Sequence, residues 1–174
     1  MPVKALLPLA GTALVLAYPF LVRWALPLWP AMPPILPMLP PALIDAWLAW
    51  IFGCTLAAGR EPLISTFARL ERAQMEGQED LVLPIELAHY TRMLTLLWSA
   101  LLLCMAGVAA WLAATGLHDW WAWFTGLLSY LLIGALFFGE YAFRRVRFAN
   151  YRHATPIAMI VSIVKAGPIW LRRT

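Results

Sequence analysis

The feature that most constrains this chain is the apolar run from Met93 to Thr115, which holds no charged residue. As a helix such a run reaches about 34 Å, enough for a hydrocarbon core of about 30 Å. The mean hydropathy of +0.74, with 63% hydrophobic and 13% charged residues, leaves too few polar side chains to cover a water-soluble surface. We therefore predict an all-α integral membrane helical bundle.

Three further apolar runs bring the prediction to four transmembrane helices. The first covers 5–22 and the second covers 42–58. The fourth covers 120–139 and begins with a cluster of tryptophans. The first run also fits a secretory signal peptide with Lys4 as its basic region, and that alternative stays open. The chain is predicted to form a single transmembrane domain, 1–174.

The link between the first two spans, 23–41, is rich in proline. Proline removes amide donors, so a continuous helix is excluded and an extended, apolar connector is expected. Trp24 and Trp29 indicate that this connector lies along the outer membrane interface.

The link between the second and third spans, 59–92, is predicted to be a cytoplasmic hinge. Leu63, Phe67 and Leu70 recur at helical spacing, which indicates an amphipathic helix on the inner leaflet. The polar stretch 76–80 predicts a solvated turn. A further helix is expected to lead from the hinge into the third span.

Basic residues set the predicted orientation. Of the 13 lysines and arginines, all but Arg23 lie in the N-terminus, the hinge or the tail, 140–174. Flanks rich in such residues stay in the cytoplasm, so both termini and the hinge are expected there. The tail also carries an apolar run at 156–167 that is too short to span and indicates an interfacial helix.

The second span carries two features of its own. Asp45 near its outer end is interpreted as an N-terminal cap of the helix, with a proton or ligand role as the alternative. Ala49, Gly53 and Ala57 recur every four residues and predict a groove that admits a neighbouring helix. That neighbour lies either in the same chain or in a second copy, so a homo-oligomer stays open.

Short links between the spans would bring polar side chains to one cytoplasmic rim, here called the polar rim. Its members are Arg60, Glu61, Glu86, His89, Tyr90, Arg92, Glu140, Tyr141, Arg144 and Arg145. Glu140 and Arg144 have the i, i+4 spacing of a helical ion pair. The polar rim is either an ion-pair network that joins helix ends, or a shallow site in which arginines bind phosphate or carboxylate and a glutamate transfers a proton.

Standard signatures of catalysis and metal binding are missing from the sequence. It has no glycine-rich phosphate loop, no Gly-x-Ser-x-Gly elbow and no Cys-x-x-Cys or His-x-Glu spacing, so neither a cofactor nor a metal is predicted. Cys54 and Cys104 lie in apolar runs and are expected to be buried, inert thiols rather than a disulfide. The chain has a net charge of +4, but its basic residues form no stripe interleaved with aromatic residues. This favours anionic lipid over nucleic acid as the counter-charge.

Several motifs along the chain resemble a known family. In chain order they are Gly59-Arg60-Glu61-Pro62-Leu63-Ile64, Phe67-Ala68-Arg69-Leu70, Leu83-Pro84, Glu86-Leu87, Tyr90-Thr91-Arg92, Thr95, Trp98, Glu140-Tyr141 and Arg144-Arg145. Over roughly 43–150 the chain resembles the small bacterial inner-membrane proteins encoded in aryl-polyene and xanthomonadin pigment gene clusters. The resemblance implies a place in a pathway that builds a conjugated acyl chain on a carrier protein, and it implies no assigned reaction.

Two classes of function are consistent with these observations. The first is an inner-membrane adaptor that recruits acyl carrier protein or soluble acyl-chain enzymes through the basic polar rim. The second is a membrane-embedded enzyme or lipid-binding protein that acts on a phosphorylated or acyl lipid at the same rim. A transport subunit is less well supported, because no continuous polar face runs through any span.

Overall fold

The computed structural model of the chain describes residues 3–28, 30–76 and 83–147. All regular structure in these ranges is helical, which confirms the predicted all-α class. In chain order the elements are α1 (Val3–Ala25), a 3-10 turn (Leu26–Leu28), a second 3-10 turn (Leu36–Met38), α2 (Leu39–Cys54), α3 (Leu63–Glu76), α4 (Ile85–Ala114), α5 (His118–Trp123), a π-helical turn (Phe124–Leu128) and α6 (Ser129–Arg147).

Three helical stretches of the described chain are long and apolar enough to cross a membrane. They are Leu36–Cys54, Ile85–Ala114 and His118–Arg145, which contain the greater part of the predicted second, third and fourth spans. α1 covers the predicted first span, but its described apolar part, Thr12–Leu28, is shorter. The fold is therefore that of a membrane protein with three helices of spanning length.

The bounds of α2 differ from the predicted span 42–58 at both ends. The helix begins at Leu39 because Pro40 and Pro41 fall in its first turn, where backbone N–H groups have no partner within the helix and proline is tolerated. It ends at Cys54 in tight turns that lead to Gly59, whose φ of +80° requires glycine. Leu39–Cys54 is thus shifted towards the N-terminus.

This shift changes the predicted small-residue groove. Ala57 lies beyond the end of α2 and is exposed, so it does not share a helical face with Ala49 and Gly53. Ala49 is buried, and a Cβ added at Gly53 would lie 3.1 Å from the Ser99 hydroxyl of α4. Gly53 therefore packs against a helix of the same chain.

The connector, predicted to be extended, instead contains the two 3-10 turns. Leu36 and Met38 donate backbone hydrogen bonds to Pro33 and Ile35 at 3.1 and 3.0 Å. The fixed φ of proline suits 3-10 geometry, so a proline-rich segment folds into tight turns without needing a continuous helix. Trp29 lies outside the described residues.

The described residues fall into two compact units. One lies within Met1–Ala49 and Ala100–Leu136, and the other within Trp50–Ser99 and Phe137–Thr174. The core of the first unit consists of Met38, Leu112, Ala113, Trp121 and Ala122. Tyr18 donates a 2.7 Å hydrogen bond to the Pro37 carbonyl, which fixes the connector against α1. The connector is therefore part of this core.

The hairpin between α4 and α5 is tight, since α4 ends at Ala114 and α5 begins at His118. Gly116 adopts a φ of +74°, and the Leu117 amide reaches back to the Leu112 carbonyl at 3.2 Å. This is a Schellman helix end, which glycine favours. From His118 the chain stays helical through the π-helical turn to Arg147, so the predicted span 120–139 lies inside a longer helix.

The predicted amphipathic helix of the hinge is α3. The Pro62 carbonyl accepts a 3.0 Å hydrogen bond from the Thr66 amide, so proline directly precedes the helix. Its most buried residues are Ile64 and Ser65, whereas Leu70 of the predicted apolar stripe is exposed. Most of the predicted turn at 76–80 and all of the interfacial helix at 156–167 lie outside the described residues.

Candidate functional site

All ten residues of the predicted polar rim belong to the second unit, where they form separate groups. Three of them bind one another, three bind other parts of the unit, and four have no polar partner in the described chain. The polar rim is therefore not one closed network within the described residues.

The first group is an ion pair between Glu61 and Arg69, a partner that the sequence analysis did not include. The guanidinium of Arg69 faces the carboxylate with Nε 3.0 Å from Oε1 and Nη2 3.1 Å from Oε2. Such a fork gives a directional, charge-assisted contact. Since both oxygens of Glu61 accept hydrogen bonds from Arg69, this carboxylate has a structural role at the start of α3.

The second group joins α4 to α6 around Glu140. Glu140 and Arg144 form the predicted i, i+4 ion pair, with side-chain exposures of only 10% and 19%. The Tyr90 hydroxyl donates to Glu140 Oε1 at 3.4 Å, a long hydrogen bond. The Phe143 ring stacks on Tyr90 with centroids 5.6 Å apart. This cluster of Tyr90, Glu140, Phe143 and Arg144 is called the tyrosine cluster below.

The third group consists of Arg60 and Arg92, which bind backbone carbonyls at the end of α2. Arg60 Nη1 lies 3.4 Å from the Cys54 oxygen, and Arg92 Nη2 lies 2.9 Å from the Leu56 oxygen. Both side chains belong to exposed residues. Positive charge at a helix C-terminus offsets the carbonyl end of the helix dipole.

The remaining rim residues are Glu86, His89, Tyr141 and Arg145. Among the described residues they form neither an ion pair nor a side-chain hydrogen bond, and all but Tyr141 are exposed. Within the described ranges, no polar side chain therefore holds Glu86 in place for proton transfer.

A cluster of hydroxyl groups was missed by the sequence analysis. The amides of Leu63 and Ile64, the first two of α3, donate to the hydroxyls of Thr55 at 3.0 Å and Thr95 at 3.3 Å. Ser65 and Thr91 share a 2.6 Å hydrogen bond between their hydroxyls. The i, i+4 spacing of Thr91 and Thr95, which puts both hydroxyls on one face of α4, was the available signal.

Thr55 and Thr95 cap the N-terminus of α3, because Pro62 has no side-chain hydroxyl to do so. The first amides of a helix have no partner within it, and an N-cap hydroxyl normally satisfies one of them. Here two neighbouring elements contribute the acceptors. Ser65 and Thr95 are both fully buried, so α3 is fixed to α4 at its N-terminus.

Polar residues of the first unit do not add a second cluster. Arg23 and Asp119 form an ion pair with Nε 2.6 Å from Oδ1. Asp45 lies beyond the first turn of α2, which has no acidic residue there, so its predicted role as an N-terminal cap is wrong. The helix starts earlier than predicted because its first turn accommodates the two prolines.

Metal-binding chemistry finds no support in the described ranges, where no three His, Cys, Asp or Glu side chains come together as ligands. Cys54 and Cys104 are free thiols, but the prediction that they are buried is wrong, because Cys54 is half-buried and Cys104 is exposed. The Cys54 thiol donates to the Ile51 carbonyl at 3.2 Å.

Comparison of the chain with protein-family models, with curated proteins and with solved structures gives no match. The chemistry of the site therefore has to be argued from its own residues.

Proposed function

We propose that this chain is a protein of the bacterial inner membrane with four spans, α1 being the first. The three helices of spanning length support membrane insertion, and α1 is an uninterrupted helix over Val3–Ala25. A helix of that length reaches about 34 Å, enough to cross a bilayer. The distribution of basic residues supports the orientation, with both termini and α3 in the cytoplasm.

We propose that the protein is an adaptor that recruits an acidic partner to the membrane. The observation that carries this proposal is that three exposed arginines of the second unit, Arg60, Arg92 and Arg145, have no carboxylate partner among the described residues. Arg69 and Arg144 are paired with glutamates. The second unit therefore presents uncompensated positive charge, which favours association with an acidic protein.

The resemblance to proteins of aryl-polyene and xanthomonadin clusters suggests which partner this is. A pathway that extends an acyl chain on a carrier needs that carrier, or the soluble enzymes acting on it, near the membrane. Acyl carrier protein is acidic, and the tail adds further arginines next to Arg145. We propose acyl carrier protein as the principal partner.

The experiment is co-purification of the membrane protein with acyl carrier protein at low and high salt. Arg145→Gln should weaken association about fivefold, the equivalent of about 1 kcal/mol for one charge pair near water. Arg145→Lys keeps the charge and should bind as the parent does. Association that ignores both salt and the loss of this charge would contradict the adaptor proposal.

A specific observation favours an alternative, a membrane-embedded enzyme or lipid-binding protein acting on a phosphorylated or acyl lipid. In the tyrosine cluster a largely buried carboxylate lies within hydrogen-bonding distance of both a phenol and a guanidinium. Such a cluster could hold and transfer a proton at the hydroxyl of Tyr90.

Tyr90→Phe separates the two proposals. The hydrogen bond from the Tyr90 hydroxyl to Glu140 is long, so the loss of this bond should cost the protein little stability. An adaptor lacking this hydroxyl should support normal pigment output in cells. An enzyme that uses the hydroxyl should lose most of that output while the amount of protein in the membrane stays unchanged, as measured by immunoblot.

A further inference from the structure

Four carbonyls at and just beyond the C-terminal end of α2 accept hydrogen bonds. The Phe52 oxygen accepts from the Thr55 amide at 3.3 Å, and the Gly53 oxygen accepts from the Leu56 amide at 3.0 Å. Next along the chain, the Cys54 and Leu56 oxygens accept from Arg60 and Arg92. Two arginines from different parts of the second unit thus converge on one turn.

Each of these guanidinium groups keeps most of its donors. A guanidinium carries five N–H groups, and each arginine uses one of them on a carbonyl in the described structure. A carbonyl is neutral and does not compensate the positive charge. One neutral donor would be enough to cap each carbonyl. Because arginines cap them instead, this turn carries two positive charges that its carbonyls do not neutralise.

The location of the pair matters for what it can bind. α2 is one of the three helices of spanning length, and Arg60 and Arg92 lie just beyond its last residue, Cys54. For a membrane-inserted helix, that level is the layer of lipid headgroups. Guanidinium groups match phosphate oxygens in geometry and charge, and cations close to an anionic leaflet attract its lipids.

We propose that Arg60 and Arg92 together bind the phosphate of an anionic phospholipid headgroup at the end of α2. The carbonyls of Cys54 and Leu56 orient the two guanidinium groups. The remaining N–H groups of the two arginines donate hydrogen bonds to the phosphate. This inference rests on the proposed membrane insertion. It does not rest on the adaptor role, which is tested through Arg145.

The test uses the full chain in nanodiscs of phosphatidylcholine with and without phosphatidylglycerol, and native mass spectrometry counts retained lipid. The parent protein should retain phosphatidylglycerol in preference to phosphatidylcholine. Arg60→Gln and Arg92→Gln should each reduce that preference about fivefold, from about 1 kcal/mol per arginine near an anionic surface. Arg145→Gln is the matched control and should leave it unchanged.

Three results would overturn the proposal. The parent protein, which needs no substitution to fold, could retain both lipids equally. Arg145→Gln could reduce the preference as much as the other two variants, which would indicate a diffuse charge effect. Inorganic phosphate added to nanodiscs of phosphatidylcholine alone could raise the melting temperature of the protein as much as phosphatidylglycerol does. That result would assign the site to a soluble phosphate. If the parent protein shows no lipid preference but still binds acyl carrier protein, this inference is contradicted and the adaptor proposal stands.

Discussion

Individual side chains in the second unit show how a charged residue is held near a bilayer. Arg69 and Arg144 each face a glutamate, whereas Arg60 and Arg92 face backbone oxygens. These two pairs are neutral overall: one lies within α6, and the other links α3 to Glu61, which precedes it. Arg60 and Arg92 instead leave net positive charge at the end of α2, because a carbonyl does not neutralise an arginine. The proposed binding properties of the polar rim depend on these unneutralised arginines.

Among the described glycines, Gly126 leaves the least room for a side chain. A Cβ there would lie 2.5 Å from Cε2 of Phe20, whose ring packs edge-on against Trp123 at 5.5 Å. Gly126→Ala should therefore lower stability by about 1 kcal/mol, since the ring has to move. Thermal unfolding in detergent, followed by circular dichroism, measures the change.

Two controls show whether the steric conflict is the cause. Gly134→Ala adds the same methyl group where nothing lies within 4 Å, and it should be neutral or stabilising because alanine favours helix. In a Phe20→Ala background, Gly126→Ala should cost nothing further. An equal loss of stability with and without the Phe20 ring would contradict this account.

At the scale of elements, the attachment of α3 depends on hydroxyl groups from outside the helix. Thr95→Val keeps the shape of the side chain and removes the acceptor of the Ile64 amide. The loss of this cap should cost about 1 kcal/mol. Hydrogen exchange should accelerate at the Ile64 amide while amides in the middle of α4 keep their protection.

The matched control for this prediction is Thr95→Ser, which retains a hydroxyl and should keep the Ile64 amide protected. Unchanged exchange at Ile64 in Thr95→Val would show that the hydroxyl is not the acceptor that holds α3.

The sequence predicted some elements better than others, for physical reasons. α4 was predicted well because a long uncharged run has one stable arrangement in a bilayer. The start of α2 was misplaced because prolines were taken as helix breakers, although Pro40 and Pro41 occupy a first turn. The Glu140–Arg144 pair follows from its spacing within one helix. The contact of Tyr90 with Glu140 depends on which faces of α4 and α6 meet, and one sequence does not determine that.

At the scale of the whole molecule, the proposed function combines membrane insertion with a cationic surface on the second unit. The described residues include three helices of spanning length, and α1 is proposed as the fourth. If the orientation follows the basic residues, Arg60, Arg92 and Arg145 all face the cytoplasm, where acyl carrier protein and anionic lipid are available. The opposite orientation would deprive both proposals of their partners.

The most direct test of this account is cysteine labelling from outside the inner membrane. Single cysteines are placed at Glu79→Cys in the hinge and His118→Cys at the start of α5, with Cys54 and Cys104 replaced by serine. In intact cells, a maleimide that cannot cross the inner membrane should label position 118 and should reach position 79 only after permeabilisation. Labelling of position 79 in intact cells would contradict the orientation, and with it the proposed cytoplasmic site.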